Sequence, residues 1–106
     1  MKVVIVDDED FIRESLSIFL EDEGFEVITA ENGRCGIEKF KNSQPDIVIL
    51  DLRMPEMSGM EVIPKIREIT DLVPIIIVSG NNEICDAVEA LRIGAWDYIT
   101  KPIQDL

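Results

Sequence analysis

The chain has 106 residues, 46% of them hydrophobic, which is enough for one domain with a real core and too few for two. Its 22 acidic residues against 10 basic ones leave a net charge of −12, which argues against direct contact of this domain with nucleic acid or an anionic membrane. There is no histidine, and Cys35 and Cys85 form no C-x-x-C pair, so the residues speak against a zinc site and fit a reducing cytoplasm. No apolar run approaches the ~20 residues needed to span a bilayer. The start, Met1-Lys2-Val3-Val4, enters a strand at once, without a signal-peptide layout.

Taken in chain order, short apolar runs alternate with segments of helical period. Residues 2–6 read as a strand. Residues 10–22 read as a helix with Ile12, Leu16, Phe19 and Leu20 on one face, stopped at Gly24. Residues 26–29 give a short second strand. Asn32-Gly33 opens a helix to about Lys41, with Ile37 and Phe40 inward, and Gln44-Pro45 breaks it. Residues 46–50 are nearly all apolar, as a strand covered on both faces should be. Beyond the loop at 51–56, Ser58-Gly59-Met60-Glu61 has the form of a capping box, opening a helix to about Glu68 that Pro64 is expected to bend. Residues 74–78 form the fourth strand, with Pro74 acceptable at its first position. Asn81 or Asn82 caps a helix bearing Ile84, Ala87, Val88 and Leu91. Gly94 ends that helix, and residues 97–100 make the fifth strand. Trp96, the one tryptophan, is expected chiefly to cover apolar surface.

Strand alternating with helix implies parallel pairing through right-handed crossovers. The first, third and fourth strands look most buried and should be central. The expected fold is therefore a flavodoxin-like, doubly wound five-stranded α/β sheet of order 2-1-3-4-5. A fifth strand in this order calls for a helix to cover it. The chain stops at residues 103–106 before one fits, so residues 1–106 read as one domain truncated at its C-terminus.

Polar residues stand where the apolar runs stop. Asp7 and Asp8 end the first run, Asp51 the third and Ser79 the fourth, and Lys101 follows the fifth. In a parallel sheet these ends share one edge, where open α/β sheets bind ligands. Carboxylates repel one another and resist desolvation, so a divalent cation with oxygen ligands would resolve their gathering. Asp51 is the candidate nucleophile, Asp8 and Asp51 are candidate metal ligands, and Lys101 and Ser79 suit phosphoryl oxygens.

In Val6-Asp7-Asp8-Glu9, Leu50-Asp51-Leu52-Arg53-Met54-Pro55, Ser58-Gly59, Val78-Ser79-Gly80 and Tyr98-Ile99-Thr100-Lys101-Pro102 the chain resembles the receiver domain of two-component response regulators. The resemblance implies that a sensor histidine kinase or phosphotransfer protein places a phosphoryl group on Asp51. It implies Mg²⁺, with Mn²⁺ as a substitute, held by Asp8, Asp51 and the Arg53 carbonyl, with Asp7 acting through bound water. Ser79 and Lys101 would contact the phosphoryl group, a cis peptide would precede Pro102, and Tyr98 would turn inward on activation. The implied protein is a cytoplasmic phosphorelay component rather than an enzyme that releases a metabolite. It would control a C-terminal output domain, a partner or a homodimer, with no membrane contact. Arg53 and Asn81 flank the site and are expected to set the lifetime of the modified state.

Three other readings compete. A Mg²⁺-dependent phosphohydrolase with an aspartyl-phosphate intermediate commonly places a second carboxylate two residues after the nucleophile, where this chain has Arg53. A flavodoxin-like electron carrier needs a phosphate-cradling loop after the first strand, where Asp7-Asp8-Glu9-Asp10 would repel a phosphate. A receiver-like binding module that is never phosphorylated is opposed by the full residue set.

Overall fold

The structure is a computed structural model that describes residues 1–80 and 84–101. The elements follow in the order β1 (Lys2–Val6), α1 (Asp10–Asp22), β2 (Glu26–Ala30), α2 (Gly33–Ser43), β3 (Ile47–Asp51), α3 (Gly59–Ile69), β4 (Ile75–Ser79), α4 (Ile84–Ile93) and β5 (Asp97–Thr100). The five strands form one parallel sheet of order β2-β1-β3-β4-β5, the flavodoxin-like arrangement expected from the alternation. The expected caps at Asn81 and Asn82 and the peptide before Pro102 lie outside the described residues.

Side-chain alternation along the strands sorts the core onto two faces. Val4, Val6, Val48, Leu50, Ile75 and Ile77 point to the face covered by α2, α3 and α4, where they meet Phe40, Val62, Ile63, Ile66, Ala87 and Ala90. Val3 and Ile5 point the other way, toward Leu16, Ile12 and Leu20 of α1. The second and fifth strands are the edges and the least covered, as expected.

Each helix end has a local cause. Asn32 caps α2 by accepting the Cys35 N–H at 2.8 Å. Gln44 ends that helix in the left-handed region, at φ 50°. Glu61 accepts the Ser58 N–H at 3.0 Å, the return half of the capping box. The α3 helix runs past Pro64, which sits on its exposed side. On α4 the inward residues are Ala87 and Ala90, while Val88 and Leu91 are exposed. One expectation is corrected. Trp96 is 58% exposed rather than packed, because its place just before edge strand β5 puts the indole outside the layers.

The start of α3 is seated directly on the end of β3. A Cβ built at Gly59 would stand 2.4 Å from the Asp51 carbonyl oxygen and 2.8 Å from the Leu52 Cα. The Gly59 N–H donates to the Leu52 carbonyl at 2.9 Å. Both obstructing atoms are backbone, so neither can rotate aside. Gly59→Ala is expected to lower stability by about 1–3 kcal/mol, the scale of overpacking in a tight core. Urea denaturation at an unchanged m-value would register it.

Candidate functional site: an acidic cluster around Lys101

Strand register builds the site. Val6 pairs with Leu50, so Asp7 and Asp51 emerge side by side one step later. Asp51 pairs with Val78, which leaves Ser79 one residue further along the same edge. Ser79 pairs with Thr100, and the Ser79 carbonyl accepts the Lys101 N–H at 2.6 Å. The edge therefore carries Asp7, Asp51, Ser79 and Lys101 on four adjacent strands.

Asp7, Asp8 and Asp51 each bring a carboxylate oxygen within 4.8 Å of the others. Asp7 and Asp51 are 2% and 3% exposed, while Asp8 faces solvent. The Lys101 ammonium lies 3.2 Å from Asp51 Oδ2, 3.3 Å from Asp7 Oδ2 and 3.4 Å from Glu9 Oε2. Lys101 is thus paired with Asp51 within a three-carboxylate cage. Backbone donors add to it. The Glu9 N–H reaches Asp7 Oδ1 at 2.9 Å, and the Arg53 N–H reaches Asp51 Oδ1 at 3.3 Å.

Burial dominates the electrostatics. It pushes the Asp51 carboxyl up to about 7, helped by the neighbouring Asp7 charge and opposed by Lys101 and the Arg53 N–H. Burial raises Asp7 as well, against the Glu9 N–H and Lys101. For Lys101, burial pulls downward, but the charges of Asp51 and Asp7 outweigh it and hold the ammonium above the usual lysine value.

Ser79 is buried at this edge, and Tyr98 is half-buried against the core on β5. The Arg53 guanidinium lies 2.6 Å from Asp86 Oδ2 on α4. Sequence position alone marks neither Glu9 nor Asp86 as a site residue. Glu9 adjoins the acidic pair and reaches Lys101 through the turn before α1. Asp86 lies 33 residues from Arg53, and no local pattern joins the two.

The elevated Asp51 makes a signed prediction. A carboxyl whose folded pKa lies above its unfolded value loses stability as pH rises from about 4 to about 7, because the folded state holds the proton longer. Asp51→Asn should therefore stabilise the protein at pH 8 by about 1–3 kcal/mol, after discounting the lost Lys101 contact. The gain should fade as pH falls toward 4. Parallel melting curves of parent and variant across that range test the sign.

The family model of the response regulator receiver domain matches residues 3–106. Regulatory protein AtoC of Escherichia coli is 43% identical over 101 residues, covering 95% of this chain and 22% of that protein. The chain thus spans under a quarter of AtoC. Chemotaxis protein CheY of Thermotoga maritima is 41% identical over 104 residues, covering 97% of this chain and 87% of that one. The crystal structure of a response regulator receiver domain protein from Clostridium thermocellum superposes with a TM-score of 0.92 at 34% identity, covering 97% of this chain and 83% of that one. Among the described residues no helix is long and apolar enough to cross a membrane. With a staggered edge of Asp7, Asp51, Ser79 and Lys101 on a 2-1-3-4-5 sheet, and these matches along nearly its whole length, the chain belongs to the receiver domains of two-component response regulators, which are signalling domains rather than classical enzymes.

Proposed function

We propose that Asp51 accepts a phosphoryl group from the phosphohistidine of a sensor kinase or phosphotransfer protein, and that the modified domain controls an output domain or a partner. The observation that carries this reading is the position of Lys101, 3.2 Å from the Asp51 oxygen and surrounded by carboxylates. In the transfer a carboxylate oxygen of Asp51 attacks phosphorus, the phosphorus–nitrogen bond of the donor breaks, and its electron pair stays with the imidazole. Lys101 then faces a phosphoryl oxygen in place of a carboxylate, and Ser79 supplies a hydroxyl at the same edge.

The donor set fits a hard divalent cation: three carboxylates in reach of one another, in a chain with no histidine. Asp8, Asp51 and the Arg53 carbonyl would hold Mg²⁺, with Asp7 acting through bound water. When bound, the ion supplies positive charge against the carboxylates and the transferring group. Exposed Asp8 leaves an open approach from solvent.

Intact-mass measurement after treatment with acetyl phosphate and Mg²⁺ tests the assignment. One added phosphoryl is expected on the parent and none on Asp51→Asn; equal labelling of both would refute it. Mg²⁺ alone should raise the unfolding temperature of the parent by mass action on the folded state, and the rise should shrink in Asp8→Asn. Differential scanning calorimetry over a Mg²⁺ series reads this second effect.

A further inference from the structure

Arg53 takes part in two parts of the molecule at once. Its backbone N–H lies 3.3 Å from Asp51 Oδ1, and its guanidinium lies 2.6 Å from Asp86 Oδ2. The contact ties the loop after β3 to the first turn of α4. The two side chains are 63% and 41% exposed, so the pair is half-solvated and weak enough to be exchanged for a stronger one. The inward residues of α4, Ala87 and Ala90, are small, so the helix buries little apolar side chain against the sheet. By contrast α3 inserts Val62, Ile63 and Ile66. A polar strap therefore bears more of the placement of α4 than of α3.

We propose that Arg53 is a positioning residue coupling Asp51 to α4: its guanidinium holds Asp86 while Asp51 is unmodified and transfers to the phosphoryl oxygens once Asp51 carries them. The inference rests on the reading of Asp51 as the phosphoacceptor. A phosphoryl group brings nearly two negative charges and three acceptor oxygens, which a guanidinium can engage in a forked pair. Asp86 offers a single, half-solvated charge. Its place in the first turn of α4 keeps it favourable beside the positive end of the helix dipole, so its release costs little. Freed from the strap, α4 would carry its exposed residues Val88 and Leu91 to a new position.

Amide hydrogen exchange of residues 84–93 on the full chain, before and after treatment with acetyl phosphate and Mg²⁺, tests the coupling. In unmodified protein Asp86→Asn and Arg53→Gln should each raise exchange in α4 by about two- to fivefold, the range given by a partly exposed ion pair. The double variant should exceed neither single one. Phosphorylation of the parent should raise exchange to a similar level, and phosphorylation of Asp86→Asn should add little. Unchanged exchange in both unmodified single variants, or additive effects in the double, would overturn the coupling. If the parent gains no phosphoryl mass, the Asp51 assignment falls and the exchange of partners falls with it, while the unmodified variants still decide the strap.

Discussion

Asp7 and Asp51 lie almost wholly out of water at the carboxyl edge of the sheet, and one ammonium stands within 3.3 Å of both. Two buried carboxylates side by side disfavour their own ionisation, and a single lysine offsets only part of that. The site is thus short of positive charge by construction. That shortage explains why its oxygens suit a cation, and it is what makes the proposed phosphoryl transfer, which needs charge neutralisation, fit this edge.

The surrounding fold holds this unfavourable arrangement in place. Val4, Ile5, Val48 and Leu50 are fully buried beneath the acids, and the register of three neighbouring strands leaves their ends no freedom to spread apart. The loop after β3 is anchored by Leu52 and Met54, which are buried although they belong to no regular element. Gly59 then brings α3 onto the Asp51 carbonyl, so the backbone of Asp51 is gripped from the strand side and the helix side. Lys101 is held differently. Its backbone is tied to Ser79, but its side chain reaches across the edge to carboxylates on other strands.

The strands and helices were legible in the sequence because their periods differ and their stops are explicit: Asn32, Gln44-Pro45, Ser58 with Glu61, and Gly94. The strand order followed from how apolar each run was, and the gathering of Asp7, Asp51 and Lys101 followed from that order. What escaped was long-range and polar. The Arg53–Asp86 pair depends on how a loop lies against α4, and the third carboxylate at Lys101 depends on the turn made by Glu9. Which residues of α4 face inward was not legible for a related reason. Val88 and Leu91 are more hydrophobic than Ala87 and Ala90, yet the close approach of α4 to the sheet favours the smaller residues inward.

At the opposite end of the molecule, Arg67 performs a quieter task. Its guanidinium donates to the carbonyls of Gly94, at 2.6 and 3.0 Å, of Val73 at 2.7 Å and of Thr70 at 3.3 Å. Gly94, at φ 134°, has a backbone that side chains rarely adopt, and a Cβ there would press on the Arg67 chain at 3.0 Å. The C-terminal end of α4 is therefore riveted to the floor of the domain. Such an anchor favours a swing of that helix about this point over a shift of its whole length, like a lever pinned at its heel, with the greatest travel at the end nearer Asp51.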